Sequence, residues 1–281
     1  MKTKRVIARL DVKGPNLVKG IHLEGLRVLG NPSQFAKYYY EQGADELYLV
    51  DCVASLYGRN SIKNLIKKVA SNVFIPITVG GGIRSIEDIN DVLRAGADKV
   101  SVNTIALKNP KFIEEAANVF GSSTIVVTIE AIKERDGRYL AYTDSGREFT
   151  GVDAIEWAKE VAQLGAGEIV ITSVDKEGTG ESFDLDLISR ISNAVDIPVI
   201  AHGGAGNYEH CKDVFENFDI DGIALSSLLH YNSFAHLEGS NSGNEGNKQF
   251  AQTRSSFHNF QKASIPELKR FLNAHKINTR L

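Results

Sequence analysis

Short apolar, β-branched runs alternate with stretches of helical periodicity along the whole chain. The runs predict strands over 5–11, 46–51, 74–79, 98–103, 123–130, 168–173, 197–202 and 220–225. The helical patterns predict helices over 32–42, 60–71, 85–95, 109–119, 151–164, 185–194, 207–216 and 265–275. Strand-then-helix alternation is the mark of βαβ units and a parallel sheet. Eight such pairs predict a closed (β/α)8 TIM barrel, in the α/β class, rather than an open sheet. No linker divides the pattern, so residues 1–281 are expected to form a single domain. The regularity lapses at 232–262, where the run from Glu238 to Asn247 is too polar and glycine-rich for a core. It reads as a polar insertion after strand eight, either disordered decoration or, since it emerges at the C-terminal face, a lid or partner-binding loop. Periodicity resumes at Ser264-Ile265-Pro266-Glu267, a capping-box pattern.

Side chains alternate faces along a strand. In strand one Val6, Ala8, Leu10 and Val12 should pack under helices, which turns Arg5, Ile7, Arg9 and Asp11 inward. The same parity points Glu46, Lys99 and Glu168 inward near the starts of strands two, four and six. Arg5, Glu46, Lys99 and Glu168 would then meet at the barrel's N-terminal mouth. Two cations and two anions there can be a self-neutralised plug, because an unpaired buried charge is costly, or a polar gate on the barrel axis. Composition favours the plug. Asp11 ends strand one on the C-terminal face, where barrel enzymes do their chemistry, although a carboxylate there can also cap its own loop. Glu130 ends strand five and is its counterpart in the second half.

The chain repeats itself. Ile75-Pro76-Ile77-Thr78-Val79-Gly80-Gly81-Gly82 is echoed by Ile197-Pro198-Val199-Ile200-Ala201-His202-Gly203-Gly204, from Ile75 to Ile197 an offset of 122. Gly43 to Val50 is echoed by Gly165 to Thr172 at the same offset. Two half-barrels are implied, each with a strand that ends in glycines and feeds a helix. Bare N–H groups beside a helix N-terminus bind phosphate, though such glycines also serve turns that need positive φ. Small polar pairs end the neighbouring strands. Gly81, Gly82, Asn103 and Thr104 would form one phosphate-binding cradle, and Gly203, Gly204, Ser226 and Ser227 the other. Plain N-capping is the bland alternative for Thr104 and Ser227. Further substrate-binding candidates at the same face are Asp51, Thr172, Asp175 and Lys19. Lys19 lies in a long segment, Lys13 to Gly30, that reads as a loop and candidate lid. Asp136-Gly137 marks a hairpin turn within 134–142.

Composition narrows the function class. The 281 residues are 42% hydrophobic with a net charge of −3, enough for one large core and without the basic field of a nucleic-acid binder. Two cysteines, Cys52 and Cys211, provide no disulfide framework and no metal-binding pair. No signal peptide or membrane-spanning run is visible, so a cytoplasmic protein is expected. No metal or cofactor motif appears.

Four motifs together resemble the cyclase subunit of imidazole glycerol phosphate synthase: Arg5-Val6-Ile7-Ala8 with Leu10-Asp11-Val12-Lys13, Thr78 to Ile83, Asp98 to Thr104, and His202-Gly203-Gly204-Ala205-Gly206. The resemblance covers nearly all of the chain outside 232–262. It implies a duplicated half-barrel that binds a bisphosphate and receives ammonia from a glutaminase subunit docked at the barrel bottom. Asp11 then matches a catalytic aspartate, acting as acid or base in ring closure. Arg5, Glu46, Lys99 and Glu168 match an ammonia gate, which reverses the preference for a plug. Asp98 matches a charged contact with the glutaminase, and both cradles match phosphate sites. Four features depart from the family's pattern: Glu130 stands for a second catalytic aspartate, Arg9 for a small residue, His202 for a serine, and Lys13-Gly14-Pro15 for Lys-Asp-Gly. The altered set resembles a specialised branch that serves a sugar-modifying amidotransferase making an acetamidino group for surface polysaccharide. Three expectations follow: an ammonia-delivering barrel for amidine formation on a surface sugar, a working cyclase of histidine biosynthesis, or a scaffold that only docks and activates a glutaminase.

Overall fold

A computed structural model describes residues 2–54, 62–233, 237 and 260–281. Its strands are β1 (Arg5–Lys13), β2 (Asn16–Ile21), β3 (Glu24–Gly30), β4 (Glu46–Asp51), β5 (Ile77–Gly80), β6 (Lys99–Val102), β7 (Ile125–Lys133), β8 (Tyr139–Thr143), β9 (Glu148–Asp153), β10 (Glu168–Ser173), β11 (Val199–His202) and β12 (Gly222–Leu225). The helices are α1 (Pro32–Glu41), α2 (Lys63–Ala70), α3 (Ile86–Arg94), α4 (Thr104–Lys108), α5 (Lys111–Phe120), α6 (Ala154–Gln163), α7 (Leu185–Ser192), α8 (Tyr208–Asn217), α9 (Ser227–Ser233) and α10 (Ile265–Ala274).

Eight strands pair in parallel in the order β1-β4-β5-β6-β7-β10-β11-β12, and β12 pairs back onto β1. The barrel is closed, which removes the free edges of an open sheet. Its strand parity follows the apolar pattern. Val6, Ala8 and Leu10 join the layer between sheet and helices, while Ile7, Tyr48, Val126, Val170, Ile200 and Ala224 form a separate cluster inside the barrel. Ile66 of α2 and Ile89 of α3 are fully buried in the outer layer. Burying such a side chain contributes about 1.5–3 kcal/mol relative to leaving it in water.

Local chemistry fixes where helices begin. Asn31 Oδ1 accepts from Ser33 N at 3.0 Å with Pro32 in the first turn of α1. Ser85, Asp153, Asp184, Asn207 and Ser264 cap α3, α6, α7, α8 and α10 in the same way. The duplication is visible in the backbone: Gly81 and Gly82 have φ of 94° and 74°, and Gly203 and Gly204 have φ of 100° and 102°.

Three expectations need correction. Lys13 to Gly30 is not a loop but an antiparallel hairpin, β2–β3, laid against the end of β1. Its glycines hid the strands: Gly14 sits at positive φ in the turn before β2, and Gly25 at positive φ at the start of β3. The helix expected from 151 starts at Ala154, because 148–153 pairs with β8 as an added strand. The expected helix from 60 starts at Lys63, and residues 55–61 lie outside the described residues. The hairpin at Asp136-Gly137 is present as β7–β8. Of the insertion 232–262, α9 claims the start through Ser233 and Gln261 N bonds Gly206 O at 2.8 Å. The remainder, apart from Leu237 and Phe260–Lys262, lies outside the described residues. No helix among the described residues is long and apolar enough to cross a membrane.

Candidate active site

The four charged residues at the N-terminal end meet as the strand parity predicts. Arg5 Nη1 donates to Glu46 Oε2 at 3.1 Å and Arg5 Nη2 to Glu168 Oε2. Lys99 Nζ donates to Glu46 Oε2 at 3.0 Å and to Glu168 Oε1 at 3.3 Å. Each carboxylate thus bridges both cations, and Glu46 also accepts from the Thr78 hydroxyl. Burial works against the Arg5 charge, but Glu168 and Glu46 hold it on and raise its pKa.

Asp98, expected as a partner contact, is exposed on the same end. Its Oδ2 is occupied by Ile77 N at 2.8 Å. Asp45 holds Val6 N at 2.7 Å and Asp221 holds Val199 N at 3.1 Å in the same manner. These aspartates fasten the starts of neighbouring strands, a structural role independent of any partner.

At the C-terminal end the charges are linked differently. Arg9 Nε donates to Asp11 Oδ1 at 2.9 Å, and Lys19 Nζ reaches Asp11 Oδ2 at 3.5 Å and pairs with Glu177. Arg9 Nη1 also lies 3.1 Å from His202 Nδ1 and 3.5 Å from Thr172 Oγ1. Burial disfavours the Asp11 carboxylate, yet Arg9 and Lys19 outweigh it and hold the group far below the ordinary carboxylate range. Burial, then Arg9 and Lys19, push His202 well below 6.5, so the ring is neutral. A neutral ring facing a guanidinium accepts through Nδ1, which puts its proton on Nε2.

Glu130 stands opposite, at the end of β7, and takes no cation. Its Oε2 accepts from Gly146 N at 2.9 Å. Burial pushes its carboxyl up to about 7, against the pull of Arg9 and the Gly146 N–H and with a push from Asp144. One carboxyl is therefore firmly ionised and the other is poised near neutrality. Pairs of titratable groups driven apart in this way mark acid–base sites.

A cavity of about 300 Å³ runs from Arg9 and Glu130 to Gly81, Gly82, Asn103 and Thr104. The first cradle is thus assembled and opens toward Glu130, with Arg84 and Lys108 as cations at its wall. A Cβ at Gly81 would lie 2.2 Å from Asp51 O, so glycine is also demanded by packing. Gly203, Gly204, Ser226 and Ser227 are also brought together, around about 20 Å³ of space beside His202 and Glu177. The two cradles, alike in sequence, differ in room.

Asp51 lines the first cavity and Thr172 is buried beside Arg9. Asp175 is not brought in: it is exposed, and its Oδ2 accepts from Lys133 N at 2.8 Å. Lys19, expected to contact substrate from a loop, stands on the hairpin at the mouth, 3% exposed between Asp11 and Glu177. Arg84, Lys108, Asp144, Ser145 and Glu177 belong to the site and were not foreseen. All but Lys108 sit in loops, where no periodicity sets direction. Among the described residues no group of three or more His, Cys, Asp or Glu is placed to hold a metal ion.

A family model described as "Histidine biosynthesis protein" matches residues 5–235. The imidazole glycerol phosphate synthase subunit HisF of Legionella pneumophila is 57% identical over 209 residues, 74% of this chain and 99% of the relative. The chain belongs to the HisF family. The HisF subunit of Streptococcus mutans serotype c is 47% identical over 231 residues, 82% of this chain and 92% of the relative. Membership is that of an enzyme subunit family. These names match the histidine-pathway alternative and give no support to the surface-glycan branch that Arg9, Glu130 and His202 suggested.

Proposed function

We propose that the chain is the ammonia-using cyclase subunit of an imidazole glycerol phosphate synthase. It would split a ribulosyl bisphosphate substrate into imidazole glycerol phosphate and aminoimidazole carboxamide ribotide. The observation that carries this reading is that Asp11 and Glu130 line one small space with Arg9, and that Glu130 and Arg9 also line the cavity of the first cradle. Asp11 stays ionised at working pH as the base or electrostatic partner. Glu130, protonated below about pH 7, is the acid. One substrate phosphate sits on Gly81, Gly82, Asn103 and Thr104 with Arg84 and Lys108 nearby, and the cavity leads from there to Glu130. The second phosphate goes to Gly203, Gly204, Ser226 and Ser227. A glutaminase partner docks on the N-terminal face and passes ammonia through the ring of Arg5, Glu46, Lys99 and Glu168.

The test is incubation of the purified chain with the bisphosphate substrate and ammonium salt. Imidazole glycerol phosphate should form, its rate should fall as pH rises above about 7, and Asp11→Asn should lower turnover on the order of 100-fold or more. Absence of product with free ammonia would sink the reading.

A second reading, ammonia delivery for amidine formation on a surface sugar, draws on one observation. Arg9 fills the mouth between Asp11 and His202, beside a second cradle with only about 20 Å³. If it holds, the same incubation yields no ring closure, and Arg9→Cys with Glu130→Asp restores some.

A further inference from the structure

Ammonia entering through the charged ring has to cross the middle of the barrel, and that layer is occupied. Tyr48 stands on β4, two residues above Glu46 of the ring and two below Val50 of the mouth. Its hydroxyl hydrogen-bonds Ser101 Oγ on β6 at 2.8 Å and Thr128 Oγ1 on β7 at 2.7 Å, and those two lie 2.6 Å apart. β7 is the third strand from β4 in a ring of eight, so the phenol reaches across the lumen rather than lining one wall. Gly80 ends the intervening β5 hard against the latch: a Cβ there would crowd Ser101 Cβ at 3.2 Å and touch the Tyr48 hydroxyl at 3.4 Å. Below the bar, Glu46 belongs to the ring; above it, the Arg9 guanidinium lies 5.4 Å from the ring centroid. The side chain is 3% exposed and packs with Ile7, Val126, Val170 and Ile200.

A residue that merely filled the lumen would need no hydroxyl. Here three hydroxyls close on one another, each able to donate and to accept, in a layer otherwise apolar. Ammonia also donates and accepts, so it can replace any one of the three partners as it passes. We infer that Tyr48 is a crossbar, latched by Ser101 and Thr128, that ammonia must displace between the charged ring and the mouth. This rests on the reading that ammonia reaches the mouth through the barrel.

The test uses the full chain in complex with its glutaminase subunit, with product formation measured separately from glutamine and from ammonium salt. Tyr48→Val removes the bar, and Tyr48→Phe removes only the latch while keeping the ring. The ratio of glutamine-driven to ammonium-driven turnover should rise at least threefold in Tyr48→Val and by a smaller factor in Tyr48→Phe. Melting curves confirm that each variant is folded, and Tyr48→Phe keeps the question answerable if the larger truncation is not. A ratio that stays at the wild-type value, or falls, in both variants overturns the crossbar while leaving the cyclase reading intact. Turnover with ammonium but none with glutamine in all three proteins overturns delivery through the barrel. No turnover from either nitrogen source overturns the cyclase reading and the crossbar together.

Discussion

Each end of the barrel holds two cations and two carboxylates in contact, part-buried at the N-terminal end and buried at the other, and the two sets are wired differently. At the N-terminal end all four members come from barrel strands, and they close into a ring in which every charge has two opposite neighbours. At the C-terminal end they form a chain, Arg9–Asp11–Lys19–Glu177. Lys19 comes from the β2–β3 hairpin and Glu177 from the segment after β10. The ring has no free end and nothing left over. The chain has ends, one spent on Thr172 and His202, and it leaves Glu130 outside it with a carboxyl near 7. The same composition therefore yields a self-contained closure at one end and a site with unspent chemistry at the other.

Breaking the ring should have the largest effect. Lys99→Ala leaves two buried carboxylates sharing Arg5, and removing one partner of a buried pair costs about 3 kcal/mol. A fall in Tm on the order of 5–10 °C is expected by scanning calorimetry. If the ring also gates ammonia, glutamine-driven turnover should fall relative to ammonium-driven turnover; a Tm loss with an unchanged ratio would make it a plug. Next comes Glu130. Its pKa in the folded chain lies above the value near 4.5 that it has when unfolded. Folding therefore favours the protonated form, and stability declines as pH rises from about 4.5 through 7. The shift corresponds to roughly 3 kcal/mol at most, and solvent in the cavity reduces it. Glu130→Gln, always neutral, should match wild-type Tm near pH 5 and exceed it by several degrees at pH 8. Equal curves at both pH values would remove Glu130 from the acid's role. The smallest effect concerns the first cradle. Gly82→Asp puts a negative side chain at φ 74° against the bound anion, and phosphate affinity by calorimetry should drop about tenfold, near 1.4 kcal/mol. Equal binding would exclude this loop as an anion site.

What could be read in the chain was whatever repeats with a period. Apolar runs located all eight barrel strands, and alternation along them sent Arg5, Glu46, Lys99 and Glu168 to one end and Arg9, Asp11 and Glu130 to the other. The offset of 122 paired the glycine turns. Loops carry no such period. Asp175, expected at the substrate, instead holds Lys133 N; Lys19, expected there from a loop, is a buried hairpin residue paired with Glu177, whose loop carries no period to place it. The β2–β3 hairpin was hidden because Gly14, Gly20 and Gly25 break the strand signal: Gly14 and Gly25 take positive φ, and a Cβ at Gly20 would run into Glu24 O. The difference in room between the cradles could not be read from their own matched residues. It depends on which neighbours stand beside them, such as His202 and Glu177 at the second.

Gly80 ties two distant choices in the sequence together. A Cβ at that position would crowd Ser101 Cβ at 3.2 Å and only touch the Tyr48 hydroxyl at 3.4 Å. Bulk at 80 is therefore felt first at 101, the residue that latches Tyr48, rather than by the phenol itself. Gly80→Ala should cost a modest amount of stability and Gly80→Ala with Ser101→Gly should recover it, so that positions 80 and 101 behave as one unit when the lumen of such a barrel is redesigned.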